Sequence, residues 1–241
     1  MRDMSVDILA IAAHPDDIEL GASGTLLKHI EAGYTVAIVD LTEGELGSRG
    51  TVEMRYDEAA EASELMGIKW RENLQMKDGF FEINEANKRL IIEQIRRAKP
   101  KIVLANAIDD RHPDHGRAGQ LIKEACFLAG LRKIETTWDG KEQEAHRPDA
   151  VYHYIQDRYL KPDLVVDVSN YVEKKFEVIK AYKSQFFDPN STEPETPISG
   201  RSFLEFIEAR MREMGRQAGY EYAEGFTVER FIGVRNLFDI D

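Results

Sequence analysis

The chain has 241 residues, 42% of them apolar, which is enough to bury the core of one large α/β domain. Its net charge of −12 at pH 7 argues against a nucleic-acid partner, because affinity for a phosphate backbone rests on Lys and Arg. The expected partner is a small molecule. Cys126 is the only cysteine, so no intrachain disulfide can form, and any metal must be held by His and carboxylates.

The N-terminal stretch MRDMSVDILAIAAHPDD has an apolar run of about eight residues behind Asp3 and Asp7, which fits neither a signal h-region nor a membrane span. The expectation is a cytoplasmic protein with no membrane attachment.

In chain order, VDILAIAA (6–13) predicts a strand. After the polar HPDDIE, GASGTLLKHIEAG predicts a helix, with Leu26, Leu27 and Ile30 at helical spacing and Gly33 as its stop. TVAIVDLT (35–42) predicts the next strand, and RYDEAAEASELMG (55–67) a helix rich in Ala, Glu and Leu. NEANKRLIIEQIRRAKP (84–100) predicts a helix capped by Asn84 and ended near Pro100. KIVLANAI (101–108) follows as a strand and GRAGQLIKEACFLAG (116–130) as a helix. DAVYHYI (149–155) and DLVVDVS (163–169) read as strands, and YVEKKFEVIKAYKSQ (171–185) as a helix.

The segment 184–200 is rich in Pro, Ser, Thr and Asn without an apolar period, and is a candidate lid loop or a plain surface loop. Ser202 and Glu205 form a Ser-x-x-Glu capping pattern ahead of a last helix over 202–218. Alternating strands and helices predict a single-domain, Rossmann-like, doubly wound and mostly parallel sheet with helices on both faces.

Two strands run straight into related tetrads: VDILAIAA into His14-Pro15-Asp16-Asp17, and KIVLANAI into His112-Pro113-Asp114-His115. In a doubly wound sheet ligands sit beyond the carboxyl ends of the strands, so both tetrads are expected at one crevice. Two imidazoles and a carboxylate form a zinc-type set with a free coordination position, and His14, Asp17 and His115 can bind one metal in this way. Asp16 is then a carboxylate beside the metal, placed to take a proton from the attacking water. His112 remains too. Asp114 can hydrogen-bond its ring and favour its charged form, suited to an oxyanion or a leaving amine.

At these residues the chain resembles the LmbE-like, or PIG-L-like, zinc-dependent N-acetylglucosaminyl deacetylases. Their (P/A)-H-(P/A)-D-D motif is matched by Ala13 to Asp17 and their H-P-D-H motif by His112 to His115. The likeness extends to Leu41-Thr42-Glu43-Gly44, to Gly50-Thr51-Val52-Glu53-Met54-Arg55 and to Tyr222-Ala223-Glu224-Gly225-Phe226, so it covers almost the whole of 1–241. Within the family the chain looks closest to the bacillithiol-biosynthesis branch, which deacetylates N-acetylglucosaminyl-malate.

The resemblance implies one Zn2+ on His14, Asp17 and His115, with Asp16 as general base and His112 supported by Asp114. It implies that Arg55 binds the sugar of an N-acetylglucosamine conjugate, and it leans towards a homo-oligomer. Some members place a mobile tyrosine over the site, whereas the aromatics of 184–202 here are Phe186 and Phe187. An anionic aglycone calls for a local cation, and Arg111 is the candidate, against an ion pair with Asp109 or Asp110.

A dinucleotide-binding reading has Asp40 at the end of the second strand in its favour. It lacks the Gly-x-Gly-x-x-Gly turn, and two aspartates stand where a pyrophosphate would approach. A non-catalytic scaffold would have no use for a spare Asp beside an open metal position. His29, His146 and His153 read as surface or structural histidines, and Cys126 as buried and inert.

Overall fold

The computed structural model describes residues 3–186 and 192–239. The elements in chain order are β1 (Ile8–Ala12), α1 (Asp17–Gly21), α2 (Ser23–Glu31), β2 (Val36–Thr42), α3 (Val52–Met66), β3 (Trp70–Met76), α4 (Glu85–Ala98), β4 (Ile102–Ala105) and α5 (Pro113–Ala129). A two-stranded hairpin follows, β5 (Thr137–Trp138) with β6 (Lys141–Glu142). The chain continues with β7 (Ala150–Tyr154), β8 (Leu164–Asp167), α6 (Val172–Ile179), α7 (Arg201–Ala218) and β9 (Ala223–Val228).

Seven strands form one sheet in the order β3-β2-β1-β4-β7-β9-β8. Strands β3, β2, β1, β4 and β7 are parallel, with Ile8 of β1 opposite Val36 of β2 and Ile102 of β4. Strand β9 runs antiparallel to both β7 and β8. The strand after β1 lies on one side of it and β4 on the other, so the order reverses between the two motif strands. That reversal opens a crevice at their carboxyl ends.

Alternation along β1 serves two cores. Ile8, Ala10 and Ala12 face one that includes Leu26 of α2, Met66 of α3 and Ile207 of α7. Leu9 and Ile11 face the other, with Ile91 and Ile95 of α4 and Leu121 and Ile122 of α5. A strand buried on both faces needs a continuous apolar run, which is what VDILAIAA supplies. This is the doubly wound α/β fold that the alternating pattern predicts.

Local outcomes follow the chemistry of the ends. Asn84 caps α4, its side chain accepting from Asn87 N. The cap expected at Ser202 is not made: α7 starts at Arg201 after Gly200, and Ser202 and Glu205 lie inside the helix, where Arg201 pairs with Glu205 at 3.2 Å. The helix expected over 171–185 stops at Ile179, and the turn after it is pinned to α3, Glu58 accepting from Ser184 N and Oγ.

Strands β3 and β9 are not read from the sequence. WRENLQM is a polar edge strand with only Met76 buried. Strand β9 contains Glu224, a buried carboxylate that accepts from Gly24 N and Thr25 N in the first turn of α2 and pairs with buried Lys175 at 2.6 Å. Of the candidate lid over 184–200, residues 187–191, Phe187 among them, lie outside the described residues. Phe186 is buried and stacks on Phe203. Among the described residues no helix is long and apolar enough to cross a membrane.

Candidate active site

The first tetrad is bent into place at the end of β1. Ala13 N donates to Asn106 Oδ1 at 2.8 Å, tying the turn to the residue just after β4. Asp16 occupies the N-cap position of α1 without a side-chain capping bond, at φ 124°, a backbone region that L residues rarely adopt and that costs about 1–3 kcal/mol, and it lies on the cavity wall. Asp17 turns inward. Its Oδ2 accepts from His14 N at 3.0 Å and Asn106 Nδ2 at 2.9 Å, and its Oδ1 from Gln156 Nε2 at 2.9 Å.

The second tetrad meets it there. His112 caps α5, its Nδ1 accepting from Asp114 N at 3.3 Å, with Pro113 at the first helical position where no N–H is needed. His115 Nε2 lies 3.1 Å from Asp17 Oδ1, and its Nδ1 2.5 Å from Asp110 Oδ2. His14 Nδ1 lies 3.7 Å from Asp17 Oδ2, while its Nε2 is 3.0 Å from Asp78 Oδ1 and 3.4 Å from Asp114 Oδ2.

The structure therefore corrects the expected contact between the Asp114 carboxylate and His112. The ring is held by the Asp114 main chain, and the carboxylate goes to Arg117, Gly79 N and His14. Helix geometry explains it: Asp114 and Arg117, three apart, share a face of α5, whereas the cap residue two positions back does not.

Electrostatics divide these groups. Burial alone would push the Asp17 carboxyl up, but the charges and hydrogen bonds of His115 and His14 hold it well below the usual range. Burial pushes Asp16 up to about 7 against the pull of the Arg55 guanidinium. His115 is raised to about 9: burial opposes its charge, and Asp17 and Asp110 overcome that. His112 is lowered, by burial first and then by the charge of His14 and His115. The expected charged form of His112 is thus not the one that this environment favours.

These residues line a cavity of about 240 Å³. Arg55 reaches it from α3, its Nη1 donating to Pro15 O at 3.2 Å and lying 3.7 Å from Asp16 Oδ2, its Nη2 bonded to Gln185. Gly44, at φ 65°, makes room: a Cβ there would stand 2.8 Å from Arg55 Nη1. Arg111 lines the cavity with its guanidinium paired to Asp157, not to Asp109 or Asp110, which go to Arg158 and His115.

Sequence reasoning missed Asp78, Asp110, Gln156 and the α7 wall of Phe203, Ile207 and Arg210. Asp78 had one available signal, the Asp-Gly turn that follows β3. The remaining candidates are satisfied elsewhere. His29 bonds Thr25 O, His146 bonds Pro100 O, and His153 bonds Asn106 O and Glu229. Asp40 is bound by the Arg71 fork at 2.7 and 2.8 Å, which leaves no free acid for a ribose.

The donor set fits a divalent cation. Ring nitrogens of His14, His112 and His115 lie within 4.8 Å of one another, as do ligand atoms of His14, Asp78 and Asp114. Asp17 adjoins both His14 and His115, and the absence of sulfur among these donors suits a zinc-type or harder ion.

Residues 9–126 match the family model described as PIG-L, GlcNAc-PI de-N-acetylase. The diacetylchitobiose deacetylase of Thermococcus kodakarensis is 30% identical over 239 residues, covering 93% of this chain and 82% of that one. The "probable N-acetyl-alpha-D-glucosaminyl L-malate deacetylase 2" of Bacillus anthracis is 24% identical, covering 74% of this chain and 81% of its own. The crystal structure of the conserved protein TT1542 from Thermus thermophilus superposes with a TM-score of 0.84 at 35% identity, over 95% of this chain and 98% of that one. With both tetrads at one cavity and a likeness that spans nearly its whole length, this chain belongs to the PIG-L/LmbE-like deacetylase family.

Proposed function

We propose that the protein is a zinc-dependent deacetylase that hydrolyses the N-acetyl group of an N-acetylglucosamine conjugate and releases acetate. The observation that carries this is Asp16. It is a buried carboxylate on the cavity wall, next in the chain to Asp17 and turned to Arg55, its close charged neighbour at 3.7 Å, while Asp17 and not Asp16 meets the rings of His14 and His115.

His14, Asp17 and His115 hold the cation, which when bound polarises the acetamide carbonyl and acidifies the attacking water. Asp16 takes the proton of that water as its oxygen adds to the carbonyl carbon. His112 has its Nδ1 occupied by the Asp114 N–H and carries its proton on Nε2, a neutral donor for the oxyanion. When the C–N bond breaks, the proton held by Asp16 passes to the amine, so acetate and the free amino sugar leave. Arg55 contacts the sugar hydroxyls.

The conjugate we favour is N-acetylglucosaminyl-malate, because Arg111 stands at the cavity mouth half-exposed and can exchange Asp157 for a substrate carboxylate. The likeness to a diacetylchitobiose deacetylase supports a neutral disaccharide instead. Measuring kcat/KM for acetate release from N-acetylglucosaminyl-malate, N,N'-diacetylchitobiose and N-acetylglucosamine separates the two. An advantage for the malate conjugate of more than about tenfold, or about 1.4 kcal/mol, supports it. A preference for the disaccharide ends the malate reading.

A further inference from the structure

Two carboxylates outside the tetrads grip the two imidazoles from behind. Asp78 Oδ1 is 3.0 Å from His14 Nε2, and its Oδ2 accepts from Leu46 N at 3.0 Å. Asp110 Oδ2 is 2.5 Å from His115 Nδ1, and its Oδ1 accepts from Arg158 N. Each thus spends one oxygen on a backbone N–H, which fixes it, and one on a ring nitrogen. Both are buried. The opposite ring nitrogens, His14 Nδ1 and His115 Nε2, are the ones that face the two oxygens of Asp17, at 3.7 and 3.1 Å.

We propose that Asp78 and Asp110 are positioning residues that select the ligand atoms of the metal site, His14 Nδ1 and His115 Nε2, by each holding the other ring nitrogen. The inference rests on the reading that His14, Asp17 and His115 hold a divalent cation. The physical basis is general. An imidazole that donates its free N–H to a carboxylate has its tautomer and ring plane fixed and its other nitrogen made more basic, and loss of such a partner costs about 10–100-fold in metal affinity. Asp114 Oδ2, 3.4 Å from His14 Nε2, is a weaker second acceptor already engaged by Arg117 and Gly79 N. Asp78 therefore carries the larger share on His14.

The alternative use of these atoms is a second cation on His14 Nε2, Asp78 and Asp114, whose ligand atoms also lie close together. The engagement of both carboxylates by backbone N–H groups favours the orienting role.

The test is zinc affinity by competition with a chromophoric chelator, for the wild-type chain, Asp78→Asn, Asp110→Asn and His115→Ala. The expected result is one ion per wild-type chain and about 10–100-fold weaker binding in each Asn variant, with each metal-free variant still folded by circular dichroism at the assay temperature. Long-range 15N–1H spectra of the zinc-loaded wild type should show His14 protonated on Nε2 and His115 on Nδ1. Unchanged affinity in both Asn variants, or the opposite tautomers, overturns the proposal. So does a second wild-type ion that Asp78→Asn loses. Failure of wild type itself to bind zinc would instead bring down the metal reading beneath it.

Discussion

His115 Nε2 stands 3.1 Å from Asp17 Oδ1. That contact joins the tetrad after β1 to the tetrad after β4, and it exists because the two strands are neighbours at the point where the sheet order reverses. A histidine from one tetrad and a carboxylate from the other are thereby brought to ligand distance within a buried pocket. If this juncture is the metal site, His115→Ala should abolish stoichiometric zinc while the wild-type chain binds about one ion, as read by elemental analysis after gel filtration. Retained zinc in the variant would remove His115 from the ligand set.

Proton linkage gives a second prediction. His115 is raised to about 9 and His14 well above 6.5, so both are cationic in the metal-free protein at neutral pH. A cation must displace those protons, and affinity should rise with pH from neutrality towards 9, with proton release visible as a buffer-dependent enthalpy in calorimetry. For folding the sign is opposite. A folded pKa above the ordinary 6.5 contributes stability that is full below 6.5 and is lost as pH rises through about 9. The metal-free melting temperature should therefore fall across that window.

Much of this site is legible in the sequence because its parts are local. An apolar run that stops at His-Pro-Asp reports a strand end and its ligands together, and Asn84 reports a cap. What escapes depends on packing between distant segments. WRENLQM looks like a surface stretch because β3 is an edge strand, and Asp78 just beyond it gains its meaning only from His14 across the crevice. Asp110, in an Asp-Asp-Arg run, reads as a solvated loop until β7 brings Arg158 beside it. Arg210 sits on a helix whose apolar spacing announces a core face but not that its flank roofs the cavity.

The buried ion pair between Lys175 and Glu224 gives a stability prediction. Glu224 also holds the N-terminus of α2, so Lys175→Met leaves a carboxylate buried with two backbone donors and no cation. The expected loss is about 3–5 kcal/mol in urea unfolding, and Lys175→Met with Glu224→Gln should lose less than the sum of the two single changes. Full additivity would show that the two side chains act independently.

Arg111→Ala tests the aglycone contact. The variant should lose the advantage of N-acetylglucosaminyl-malate over free N-acetylglucosamine, about tenfold or more in kcat/KM, and leave the free sugar's rate unchanged. An equal loss on both substrates would mean that Arg111, through Asp157, supports the cavity and does not read the aglycone.

If Asp16 is the base and not a ligand, Asp16→Asn should separate catalysis from metal binding. Turnover of an N-acetylglucosamine conjugate and bound zinc are measured on the same preparation. Turnover should fall by roughly 10²–10⁴ while zinc stays near one per chain. Turnover close to wild type, or zinc lost in step with activity, would contradict it.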